Sequence, residues 1–119
     1  MASIDSSLVK DEIKRLISLS QSAKKQVRNV FTRLEADPSE FEELQYVSPD
    51  VAARFENVTI RKVKITGKNH DYRMIVAHWI LSDDSEHVDV LLVFAREQGY
   101  AIDWDWVEAT LDPPARRED

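Results

Sequence analysis

The 119 residues include no cysteine, which excludes disulfides and thiolate–zinc sites and makes a reducing cytoplasm the default location. Only two glycines occur, so most glycine-rich turns that cradle cofactor phosphates are ruled out, and no serine elbow is present. No cofactor and no small-molecule ligand are expected. No apolar run reaches the roughly 18 residues that read as a bilayer span. The opening "MASIDSSLVKDEIKRL" lacks the basic start and apolar stretch of a secretory signal, so no membrane partner is expected. A basic surplus is missing as well: 16 Lys and Arg stand against 22 Asp and Glu, a net charge of -6. Proteins that grip nucleic acid through phosphates usually carry the opposite balance, so any such role needs positive groups gathered on one face.

What is present reads as one domain over residues 1–112, long enough to bury a core without staples. Val9, Ile13, Leu16 and Ile17 follow a helical period, with Asp5 or Ser6 as the available N-cap. After "SLSQS", a second helix starts near Ser22 and puts Ala23, Val27, Val30, Phe31 and Leu34 on one stripe, with Lys24, Lys25, Arg28 and Arg33 opposite. Asp37-Pro38 stops it. Ser39 with Glu42, and Ser48 with Pro49, suggest two short helical pieces.

From Val58 the period becomes two. Arg61, Val63 and Ile65 point one way and Ile60, Lys62 and Lys64 the other. "GKNH" reads as a loop, and "DYRMIVAHWIL" and "EHVDVLLVFAR" as a hairpin around "SDDSE". The apolar run from Met74 to Leu81, broken only by His78, suggests a strand covered on both faces or nearly so. Further on, Ile102, Trp104 and Trp106 alternate with Asp103 and Asp105 as in an edge strand, yet Asp103 equally caps a short helix through Val107 and Leu111. Residues 113–119 read as a disordered tail. The expected fold is α+β: two N-terminal helices packed on one face of a small, mainly antiparallel sheet.

Several groups carry candidate chemistry. If Asp83 to Glu86 form the hairpin loop, Arg73 and Arg96 face each other on one side of the sheet. Two opposed cations gain nothing from each other; an anion between them would relieve the repulsion. The plainer reading pairs them with Asp71 or Glu97. Lys62, Lys64 and Lys68 form either a cationic floor for a phosphate backbone or an edge-protecting, solvated face. His70, His78 and His87 lack metal-ligand spacing. His78 reads as a core residue, and His70 is a candidate acid or base beside Arg73. The carboxylates at Asp83, Asp84, Glu86 and Asp89 read better as a turn than as a metal site, so no metal is expected. Trp104, Trp106 and Tyr100 either stack on a base or close a small core.

The order of two helices followed by "IRKVKIT…HDYRMIVAHWI…VDVLLVFAREQGY" resembles the RelE/ParE toxin superfamily of bacterial and archaeal toxin–antitoxin systems. The likeness rests on the Lys-x-Lys strand (Lys62, Lys64), on the "DYRMIV" strand carrying Arg73, and on the apolar strand ending in Arg96, over roughly residues 20 to 102. The resemblance implies a small toxin that cleaves mRNA in the ribosomal A site without a metal and is neutralised by an antitoxin. Arg73, Arg96, Lys64 and Tyr100 would then be catalytic, and Lys62, Lys68 and His70 would contact the RNA. A ParE-like alternative on the same scaffold is a non-catalytic binding module, acting as a gyrase inhibitor or an adaptor.

Overall fold

In chain order the elements are strand β1 (Ser3–Asp5), helix α1 (Lys10–Ser18), helix α2 (Gln21–Ala36), strands β2 (Glu42–Glu43), β3 (Val58–Gly67), β4 (His70–Ile80) and β5 (Glu86–Ala95), and helix α3 (Trp104–Thr110). Short 3-10 turns at Ser7–Val9 and Pro38–Glu40 lead into α1 and out of α2. The structure is a computed structural model, and it describes residues 1–44, 55, 57–67, 70–97 and 103–114. Lys68, Tyr100, the Ser48–Pro49 piece and residues 115–119 lie outside the described residues. Pro114, assigned by the sequence to a loose tail, is buried.

Local chemistry explains the helix ends. Ser20 extends its backbone and its Oγ accepts from the Ala23 N–H at 3.0 Å, which makes it the N-cap of α2. Asp37, ahead of Pro38, is forced out of the helical region, and its carboxylate accepts from the Ser39 N–H at 3.1 Å. That bond replaces the capping box expected between Ser39 and Glu42; Glu42 instead enters β2 and pairs with Lys62. Asp103 caps α3 by accepting from the Trp106 N–H at 3.1 Å. Of the two readings of that segment, the helix is the one that forms.

The sheet order is β1-β5-β4-β3-β2, with β1 parallel to β5 and the other pairs antiparallel. The sheet is therefore mixed. Gly67 pairs with His70, so β3 and β4 are joined by residues 68–69 alone. A Cβ at Gly67 would run into the His70 ring, and only glycine leaves that space open. The β4–β5 turn is tight: the Leu81 N–H donates to the Ser85 carbonyl at 2.8 Å, and Asp84 takes a left-handed φ of 65°. Asp tolerates that conformation better than most residues. Between Ile75 and Val76 the register with β5 shifts by one residue, a bulge that leaves Leu91 between the partners Leu92 and Val90.

Helices cover both faces, not one. Leu16, Ala23, Val27, Val30 and Leu34 of α1 and α2 pack on Val63, Ile65, Met74, Val76, Val88 and Val90. On the other face, Phe55, Val107 and Leu111 pack on Ile60, Ile75, Ala77, Trp79 and Leu91. Phe55 and Trp79 meet edge to face at 5.5 Å. This is why β4 is apolar at consecutive positions: each face has its own core. Among the described residues no helix is long and apolar enough to cross a membrane.

Candidate functional site

α3 covers only part of its face. Beyond it, at the end of β3 and β4 nearest residues 68–69, the same side of the sheet carries Lys62, Lys64, Arg73, Asp71 and Phe94. Lys64 and Arg73 are direct cross-strand partners, as are Arg73 and Phe94. Arg73 Nη1 donates to Asp71 Oδ1 at 2.5 Å and to the Tyr72 carbonyl at 3.1 Å. Arg96, just past the end of β5, brings its Nη1 to 3.6 Å from the other oxygen of Asp71. One carboxylate thus lies between two guanidinium groups. Arg73 is mostly enclosed, with 12% of its side chain exposed, whereas Arg96 is 71% exposed. Lys62 pairs with Glu42 at 3.3 Å. Among the described residues Lys64 has no ion-pair partner. Four cations thus share this patch with two carboxylates.

The two arginines reach one face by a route the expected register does not contain. The turn lies earlier in the chain than the expected loop Asp83 to Glu86: Ile80 already pairs with Glu86, and the Leu81 N–H donates to the Ser85 carbonyl. That shift alone would put Arg73 and Arg96 on opposite faces. The bulge at Leu91 turns the far half of β5 over once more, so Arg73 faces Phe94, and Arg96 lies two residues further along the same side. The guanidinium groups are therefore diagonal neighbours across Asp71, not directly opposed.

His70 does not join them. It opens β4 on the helix-covered face, is buried at 7% exposure, and its Nε2 lies 2.7 Å from Gln26 Oε1 of α2. The expectation that it contacts RNA beside Arg73 is corrected by strand parity: residues 70 and 73 project from opposite sides. His78 is sealed on the helix side too. Arg61 Nε donates to its Nδ1 at 3.1 Å, so the ring proton sits on Nε2 and faces Glu86 Oε1 at 2.8 Å. Arg61 Nη1 also donates to the Phe41 carbonyl at 2.9 Å. His87 is the one histidine on the face that carries Arg73, but it lies at the other end of the sheet, opposite Trp79 and beside Ser3 of β1. Sequence reasoning missed this group. His87 and Asp89, two apart on a strand, announce a shared face; Ser3 belongs to it only through a pairing 84 residues long.

Among the described residues no cluster of three or more His, Asp or Glu is placed to hold a metal ion. The patch itself can bind an anion. Its guanidinium groups offer N–H donors in fixed forks, and the Asp71 carboxylate occupies the position a phosphate or a partner's carboxylate would take. Compared with known proteins, the chain matches no family model, no curated protein and no solved structure.

Proposed function

We propose that the chain is a RelE/ParE-like toxin-fold protein that cleaves mRNA on the ribosome without a metal and is neutralised by an antitoxin. One observation carries the reading: Lys64, Arg73 and Arg96 gather at one end of the sheet, the two arginines around a single carboxylate. Arg96 is exposed and 3.6 Å from Asp71, so it can swing from the carboxylate to a phosphate at little cost. Arg73, pinned by Asp71 and the Tyr72 carbonyl, presents a fixed fork.

In RNA cleavage a 2′-hydroxyl attacks the neighbouring phosphate and negative charge grows on its free oxygens. Guanidinium groups aimed at those oxygens stabilise that charge, the task a metal ion performs elsewhere. Lys64, beside Arg73 on the neighbouring strand, would hold the phosphate from the other side. Lys62, tied to Glu42, would line the approach of the chain. Tyr100 and Lys68 would complete the set from outside the described residues.

A second reading has its own support. The protein is acidic overall, and three of the four cations already face acids of the same chain. On that reading the scaffold is a non-catalytic module that binds an acidic protein segment. One set of experiments separates the two. Full induction should arrest translation, and purified protein should cut mRNA only when ribosomes are present, equally with and without EDTA. Arg73→Ala should lower the cutting rate by about 100-fold or more. Robust growth on full induction of the intact chain removes the toxin reading. Capture of an acidic partner without any cleavage establishes the module.

A further inference from the structure

At the far end of the same face, the His87 ring is held from both sides. Its Nε2 lies 2.9 Å from Asp89 Oδ1, and its Nδ1 lies 2.6 Å from Ser3 Oγ. Trp79 Nε1 donates to the second oxygen of Asp89 at 3.0 Å. The direction of this chain follows from what each group can do. An indole N–H only donates and an ionised carboxylate only accepts. The ring proton therefore sits on Nε2, and Nδ1 accepts from the Ser3 hydroxyl.

Three strands assemble the group. Ser3 and His87 are register partners in the parallel β1–β5 pair, and Trp79 faces His87 across β4–β5. Burial grades along the chain: Trp79 is fully buried, Asp89 is 7% exposed, His87 is half-buried and Ser3 is exposed. The fixed end thus lies in the core and the reactive end meets solvent. Asp89 also lines a cavity of about 250 Å³ together with Asp5, Asp112, Leu8 and Leu91. Asp5 is two residues from Ser3 on the same side of β1, which places the cavity roughly 7 Å from the hydroxyl.

We infer that Ser3 is a nucleophile, with His87 as its general base and Asp89 and Trp79 as positioning residues, acting on small esters. The roles are those of a Ser-His-Asp triad with the two ring nitrogens exchanged. Ser3 Oγ attacks the ester carbonyl carbon while its proton passes to His87 Nδ1. The ester C–O bond breaks, the alcohol leaves with that proton, and Ser3 stays acylated. Water then adds to the acyl carbon, gives one proton to Nδ1, and expels the acid as Oγ takes the proton back. Throughout, Asp89 stabilises the charged ring and Trp79 fixes the carboxylate.

The same hydrogen bonds would fasten β1 to β5 with no chemistry at all, so the test must read reactivity. The full chain is incubated with a fluorophosphonate probe and its adducts are located by mass spectrometry. A single adduct on Ser3 is expected, absent from Ser3→Ala and formed at least about 10-fold more slowly in His87→Gln. Ser3 is exposed, so Ser3→Ala should keep the wild-type circular dichroism and Tm. Asp89→Asn should lose the dependence of labelling on ring ionisation and leave a rate that only tracks hydroxide. p-Nitrophenyl acetate should be hydrolysed by the full chain, and that activity should be lost in Ser3→Ala. Labelling spread evenly over several serines, or Ser3 labelling unchanged in His87→Gln, overturns the inference. Neither Arg73 nor Lys64 takes part, so a failed RNA cleavage assay leaves this reading standing.

Discussion

The two faces of the sheet treat charge in opposite ways. On the face packed by α1 and α2, Arg61, His78 and Glu86 form a hydrogen-bonded series in which Arg61 also donates to the Phe41 carbonyl. Among the described residues no buried side-chain polar atom lacks a partner. On the other face, α3 stops short, and the cations past its cover meet a carboxylate that is 40% exposed and shared. The two carboxylates are alike in exposure, 34% for Glu86 and 40% for Asp71. What differs is their company: Asp71 lies between two guanidinium groups, whereas Glu86 meets one imidazole.

That contrast can be broken in steps, starting with the cores themselves. Trp79→Ala should destabilise by about 3–5 kcal/mol and Leu34→Ala by about 2–5 kcal/mol, read as the midpoint shift in urea unfolding. Both residues are fully buried, one under each layer; equal losses would show that the α3 side is as tightly packed as the helix pair, and a near-zero loss at Trp79 would show that it is not. Next come the arginines. Arg61→Ala strands the Phe41 carbonyl and His78 Nδ1 and should cost about 1–3 kcal/mol. Arg73→Ala frees the Tyr72 carbonyl but leaves Asp71, which is 40% exposed, to Arg96 and water, so its cost should be smaller than that at Arg61. If the two costs are alike, the two faces do not differ in the sense argued. The smallest effect lies in the β4–β5 turn. The Ser85 hydroxyl, then its N–H, holds the Asp83 carboxyl below the ordinary carboxylate range. A lowered folded-state value stabilises above the unfolded value and loses that effect as pH falls through the folded one. The Tm gap between wild type and Asp83→Asn should therefore be open at neutral pH and close in strong acid.

The sequence carried the long elements because each is written in its own neighbours. Ala23, Val27, Val30 and Leu34 state the α2 stripe outright, and the apolar run of β4, broken only by His78, states that both its faces are covered. His70 was legible too: it shares parity with Met74 and Val76, which places it on the helix side. The arginine geometry was not, because it depends on two one-residue decisions, a tight turn and a bulge, that cancel in their effect on face. β1 was hidden for a different reason. Ser3–Asp5 has a single apolar residue and is too short to show a period, and it becomes a strand only because β5 offers it an edge.

That edge has a further meaning. β5 contains "VLLVFA", and β1 pairs only with His87, Val88 and Asp89; among the described residues no strand lies beyond Val90 to Ala95. The 3-10 turn Ser7–Val9 that follows β1 also packs against β5. Loosening β1 would lengthen the unpaired ladder offered to any chain able to extend it.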